Sequence, residues 1–355
     1  MKDERFRVLK FGGSTLGKPE RLRRAAEMVR SVEPTVRAVV ASAPGNTTDQ
    51  LWELVQPPAS TRSSPEAVQA VGLGDLVGAA IMTAELVALG LRARLLVPGT
   101  PDWPVLTEGE GWETEVDLPG TSARLRSLEK RFGDVIWVLP GYVGFNERSG
   151  RWTALGRGGS DVTAVAIGSC RSGSEVVLVK DVPGVLSGDP GRVRGATVLP
   201  ELTVREMSWL AEGGACVVAA QALHYLGPGG RLRVVGLGAQ LEAPGGTSIV
   251  PDPPGRSDPL PDRSRVRRAV EIARSAGWSS VVTLPSPSAE ARRAAFDTDP
   301  VGAPEAEGLP MAVVVPPEDL DRFIEQLHAS GRVRALAVRA PSASPPAGTA
   351  SGGRP

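Results

Sequence analysis

Two short runs carry residue types and spacings that can handle phosphate. The first is Lys10-Phe11-Gly12-Gly13-Ser14-Thr15: a lysine closing an apolar run, two glycines, then hydroxyl residues ahead of a helix. Glycines let backbone N–H groups approach an anion closely, and a helix N-terminus adds partial positive charge. A lysine there supplies a cation for charge developing on a transferring phosphoryl group. The GxxxxGK[ST] spacing of a Walker loop is absent, and by itself the run is equally compatible with a plain tight turn. The second run, Thr153 through Ala164, again sets glycines (Gly156, Gly158, Gly159) at a strand-to-helix turn, with Ser160 as N-cap. Arg157 is suited to clamping a carboxylate through paired N–H donors, and Asp161 to orienting a lysine or a substrate ammonium. The alternative is a capped helix with a surface ion pair.

The elements that must position these runs alternate along the chain. Residues 6–11, 36–42, 92–97, 135–139, 175–179, 232–235 and 247–250 read as strands. Residues 19–30, 64–89, 118–131, 160–167, 203–212 and 215–223 read as helical, that at 118–131 with a loop before it. Alternation of this kind predicts an α/β sandwich with a mainly parallel sheet over residues 1–250. Residues 251–263, PDPPGRSDPLPDR, have the composition of a linker. A smaller region at 264–340 contains a strand-helix-strand pattern at 311–338, and the Pro/Ala/Ser/Gly tail at 341–355 has a disordered composition.

Composition narrows the function classes. Apolar residues make up 41% of the 355 and charged residues 23%, with Lys+Arg and Asp+Glu equal at 40 each. No global charge steers the chain toward nucleic acid or an anionic membrane. The cluster Arg263, Arg265, Arg267 and Arg268 lacks interleaved aromatics and reads as a solvated helix start. Two cysteines, no apolar leader and no stretch of membrane-spanning length predict a cytoplasmic protein without a disulfide framework or membrane partner. His224 and His328 belong to no motif.

Together the two runs strongly resemble the aspartokinase family, which opens on KFGGS and carries LGRGGSD in mid-chain. Further segments follow in the family's order: residues 39–47 (VVASAPGNT), Gly74-Asp75, residues 139–144 (LPGYVG), Asp181 to Val185 followed by Gly188-Asp189-Pro190, and residues 244–247 (PGGT). The resemblance is collinear over residues 6–250. It implies a three-layer αβα sandwich, the amino-acid kinase fold, with a small α+β ACT-like C-terminal region. It also implies MgATP-dependent phosphorylation of the side-chain carboxylate of aspartate, by a homodimer. In that scheme Lys10 and Asp161 are catalytic. Ser42, Thr47, Asp75, Arg157, Gly158, Gly159 and Ser160 bind the amino acid. Lys10, Gly12, Gly13, Ser14, Lys180, Asp181, Leu186, Asp189, Pro190, Cys216 and Val217 face the nucleotide, and Mg²⁺ arrives on ATP.

Departures from the pattern are specific. Asp75 replaces a glutamate, Lys180 a threonine, Leu186 a tyrosine, and Cys216 a lysine expected near the phosphates. The C-terminal region has room for about one ACT module where the family carries two. These departures favour two alternatives: a kinase for another amino acid or carboxylate, and a catalytically silent homologue that binds a ligand or partner.

Overall fold

The computed structural model describes residues 6–55, 64–193, 195–227, 229–252, 279–285, 311–315, 320–329 and 333–339. The expected tail, the arginine cluster and all but the first two linker residues lie outside these ranges.

Among the described residues, fifteen strands and nine helices are named in chain order. They are β1 (Arg7–Phe11), α1 (Gly13–Leu16), α2 (Pro19–Ser31), β2 (Val36–Ala41), α3 (Thr47–Leu54), α4 (Pro65–Ala88), β3 (Ala93–Leu95), β4 (Thr107–Glu108), β5 (Glu115–Val116), α5 (Leu118–Phe132), β6 (Ile136–Pro140), β7 (Val143–Asn146), β8 (Arg151–Ala154), α6 (Gly159–Ser169), β9 (Glu175–Lys180), β10 (Glu201–Thr203), α7 (Val204–Glu212), α8 (Ala220–Leu223), β11 (Arg231–Gly236), β12 (Thr247–Val250), β13 (Ser279–Pro285), β14 (Met311–Val315), α9 (Leu320–Ala329) and β15 (Val333–Arg339).

Eight strands form one sheet in the order β10-β12-β11-β9-β1-β2-β6-β3. Every neighbouring pair is parallel except β11 with β12. Strands β1 and β6 are buried along their whole length, as expected of a parallel sheet covered on both faces. Side-chain alternation divides them between those faces. Leu9 and Phe11 of β1 join Ala25, Met28 and Val29 of α2 and Met82 and Leu86 of α4 in one apolar cluster. Lys10 therefore projects to the other face, where α6 packs. Lys10 is only 7% exposed and Asp161, in the first turn of α6, is 4% exposed.

Helix α4 starts cleanly: Ser64 Oγ accepts from the Ala67 amide and Pro65 occupies the first turn. It is long and apolar enough to cross a membrane by length and composition. Here it is a core helix, brought close to the chain after β2 by glycine: a Cβ on Gly78 would lie 2.0 Å from the Ser42 carbonyl oxygen. The stretch expected to be helical over 215–223 is helical only from Ala220. The preceding residues stay irregular, and the Ala219 amide donates to Asp161 Oδ2 at 3.3 Å instead of entering a helix.

The chain divides into two compact units. The first comprises residues 1–186, 197–211 and 216–257, and the second residues 187–196, 212–215 and 258–355. The second unit holds an antiparallel sheet, β14-β13-β15, with α9. Its small core joins Val193 to Val281, Leu320, Ile324 and Leu336. The segment 187–196 is tied into it further: Leu336 N–H donates to the Ser187 carbonyl, Ser187 Oγ lies 2.9 Å from His328 Nε2, and Arg192 pairs with Asp321 at 2.8 Å.

Candidate active site

Glycine sets the floor of the site. The β1–α1 turn passes so close to the chain after β2 that a Cβ on Gly13 would sit 2.5 Å from the Ala43 carbonyl oxygen. The Gly13 carbonyl accepts from Gly45 N–H at 2.8 Å. At the other turn Gly158 has φ +72°, and a Cβ there would meet that of Ala219 at 2.3 Å. Two strand-to-helix turns are thereby held against their neighbours, with α6 beginning at the second.

The central charged group is Asp161. Its Oδ1 is 2.7 Å from Lys10 Nζ and its Oδ2 is 3.0 Å from Lys180 Nζ. Burial alone would raise this carboxyl, but the two ammonium groups outweigh it and hold the pKa at about 2. Lys180 is pushed below the usual lysine range by burial and by Lys10, against the pull of Asp161. Two cations thus share one carboxylate beneath the turn, an arrangement suited to a phosphoryl group.

A second buried carboxylate, Asp75 of α4, is 3% exposed. Burial raises its pKa to about 7, opposed by a hydrogen bond from Ser160 Oγ at 3.1 Å, by the charge of Lys10 and by a backbone bond at Ala43. Beside it Tyr142 adopts φ 67°, a left-handed conformation uncommon outside glycine. Burial, then the Asp75 charge, push its phenol above the ordinary range.

These groups surround one open cavity of about 1160 Å³. Of the residues singled out in the sequence, Lys10, Gly13, Ser42, Asp75, Arg157, Gly158, Gly159 and Ser160 line it. Asp161 stands behind Lys10. Thr47 does not line it: its hydroxyl donates to the Pro44 carbonyl at 2.6 Å, closing the turn into α3, and Thr48 takes the wall position. Gly12 and Ser14 shape the turn without lining the cavity. Asp181 lines a separate cavity of about 520 Å³ with Glu20, Arg21, Arg24 and Pro183. Leu186 pairs with Val198 in an isolated bridge. Cys216 is exposed and not disulfide-bonded, Val217 lies half-buried next to it, and neither lines a described cavity. Asp189 and Pro190 belong to the second unit, where they line a pocket with Arg192, Asp321 and Glu325.

Sequence reasoning did not select Tyr142, Trp52 or Trp112 as site residues, yet all three line the main cavity. Tyr142 lay within the recognised turn at 139–144. The two tryptophans sit on segments with no motif and no periodic pattern.

The amino acid kinase family, as a sequence pattern, matches residues 5–235. The aspartokinases of Mycobacterium tuberculosis and Corynebacterium glutamicum are each 32% identical to this chain over 220 residues, covering 61% of this chain and 51% of their own length. The aspartokinase of Thermus thermophilus is 31% identical over 221 residues. The chain thus spans about half the length of the curated relatives it matches. Among solved structures, Escherichia coli aspartokinase III in complex with lysine and aspartate superposes with a TM-score of 0.69, covering 92% of this chain and 99% of that one at 18% identity, a likeness of fold. The family pattern runs from just before β1 through β11, taking in both glycine turns and the Lys10–Asp161–Lys180 cluster, and the chain belongs to the amino acid kinase family.

Proposed function

We propose that this chain is an aspartate kinase-like enzyme, transferring the γ-phosphoryl group of MgATP to the side-chain carboxylate of aspartate to give 4-phosphoaspartate. The observation that carries the reading is the buried Asp161 carboxylate shared by Lys10 and Lys180 beneath a glycine turn, beside a cavity also lined by Arg157 and Asp75.

ATP supplies the phosphoryl group, and Mg²⁺ arrives on the triphosphate oxygens, the usual arrangement for a cation that keeps several waters. Lys10 and Lys180 neutralise charge on the transferring group, and Asp161 fixes both ammonium groups in place. Gly12, Gly13 and Ser14 offer backbone N–H groups at the first turn. In the transfer, a carboxylate oxygen of the acceptor forms the new O–P bond as the bond to the β-phosphate oxygen breaks and ADP departs. The acceptor carboxylate is already ionised near neutral pH, so the chain needs no general base. Its work is positioning and charge compensation. Arg157 grips the other carboxylate of the acceptor, while Ser42, Asp75, Gly158, Gly159 and Ser160 surround its amino end. Asp75, titrating near 7 in the open pocket, is drawn to its ionised form by a neighbouring ammonium. The cavity at Asp181, with Arg21 and Arg24, is the proposed nucleoside end. In this reading Lys180 supplies the cation that Cys216 does not.

A homodimer is supported by the outer face of α4, where Leu73, Val77, Ala80, Ala84 and Val87 are exposed at alternating spacings of four and three, a coiled-coil-like seam. Light scattering that finds only monomer would end that part of the reading. The kinase reading is tested by giving the purified chain MgATP and a panel of amino acids, with hydroxylamine to trap acyl phosphate. Aspartyl hydroxamate is the expected product. ATP turnover without any hydroxamate would sink the assignment.

A further inference from the structure

The cavity is larger than an acid the size of aspartate requires. At about 1160 Å³ it exceeds the roughly 300–1,000 Å³ typical of pockets that enclose drug-sized ligands. Part of that space serves the phosphoryl end, at Lys10 and Gly13. The remainder has a wall of different chemistry. Thr48, Asp49, Trp52 and Glu53, spaced as one face of α3, line it together with Trp112 and Glu113 from the segment between β4 and β5.

The two indoles stack on each other with ring centroids 4.3 Å apart and planes inclined by 30°. This stack joins α3 to the 109–114 segment across the cavity. Core packing does not account for it: α3 buries none of its residues, and Trp52 is 37% exposed. Around the pair stand three exposed carboxylates, Asp49, Glu53 and Glu113, none of which makes an ion pair among the described residues. An indole pair with one exposed and one half-buried member, ringed by carboxylates, has the chemistry that holds an organic cation, through attraction to a ring face and to the acids together. Lys10 and Arg157 serve anionic groups of the acceptor and phosphate, so the cavity carries cationic and anionic walls at once.

Resting on the carboxyl-kinase reading, we infer that Trp52 and Trp112, with Asp49, Glu53 and Glu113, form a second subsite of the acceptor pocket, which takes an ammonium or guanidinium group carried on an acceptor larger than free aspartate. The acceptor class is an aspartyl unit with its side-chain carboxylate free, extended by a chain that ends in a cation. The new O–P bond forms at the same carboxylate as before; the extension adds binding and selects the acceptor.

The test uses the full chain with MgATP and three acceptors: L-aspartate, L-aspartyl-glycine and L-aspartyl-L-lysine. The two dipeptides both present an ammonium, a free side-chain carboxylate and a terminal carboxylate, and differ in the lysine side chain, four methylenes ending in the distal cation. Hydroxamate formation and ADP release are followed separately. The expected result is a kcat/KM for aspartyl-lysine about tenfold above that for aspartyl-glycine. Trp52→Ala and, independently, the nearly isosteric Glu53→Gln should each bring that ratio toward one. A ratio of one in the unaltered chain, or a ratio that survives both substitutions, overturns the subsite. Turnover of aspartate alongside a ratio of one leaves the kinase reading standing. Absence of hydroxamate from all three acceptors removes the kinase reading and the subsite with it.

Discussion

Asp75 and Asp161 are both buried at the same site, and they titrate in opposite directions. Asp161 meets two lysines and is held at about 2; Asp75 meets a serine hydroxyl, a backbone bond and one more distant lysine charge, and rises to about 7. Burial raises both carboxyls, so the number of cations in contact decides the outcome. The contrast divides the site by task. On the Asp161 side charge is fixed and compensated before any ligand arrives, which suits neutralising a phosphoryl group. On the Asp75 side the charge is adjustable, which suits a wall that meets an ammonium in some states and not in others.

The largest expected effect comes from removing the fixed side. Asp161→Asn leaves two lysines buried without their shared partner. It should cost about 3–5 kcal/mol of stability, seen as a melting temperature lower by about 10 °C. A variant that melts with the unaltered chain would show that the lysines find other partners and that the contrast is overstated. Next comes Lys180→Thr, which leaves Lys10 as the sole cation on Asp161. Its expected signature is a kcat lower by about 100-fold with folding retained. Full activity would mean that one lysine suffices.

The smallest effect concerns Asp75. Its folded pKa is raised above the ordinary unfolded carboxyl value near 3.9, so its contribution to stability is fully present below that value and declines as pH rises through about 7. Asp161 has the opposite sign: its contribution is present above about 3.9 and declines as pH falls toward 2. Asp75→Asn should therefore flatten the fall in melting temperature between about pH 4 and 7. Parallel curves for the two proteins would show that Asp75 stays ionised throughout.

Much of the fixed side could be read from the chain. Lys10 and Asp161 sit in glycine turns that each have a bland alternative and gain meaning only in combination and in order, and the parallel sheet follows from long apolar runs alternating with helices. Lys180 was visible as a cation at a strand end, but its contact with Asp161 depends on β9 lying beside β1, whose paired residues are 168 apart in sequence. The adjustable side was less legible. Helix α3 buries no residue and so leaves no apolar period to detect. Strands β4 and β5 have two residues each, too short for alternation to register. Trp112 reaches the cavity because Glu113 pairs with Leu155 in an isolated bridge, a tertiary event with no local signal. The helix expected from residue 215 begins at Ala220, since the Ala219 amide is engaged by a carboxylate 58 residues away in sequence.

The segment 187–196 has a genealogical consequence. The chain leaves the first unit after Leu186, contributes Val193 to the core of the second, and returns at Thr197. A gene shortened to the first unit would therefore lose the packing partners of an internal stretch as well as the C-terminal residues. Exchange of the C-terminal portion between relatives would keep this small core intact only when that ten-residue stretch travels with it.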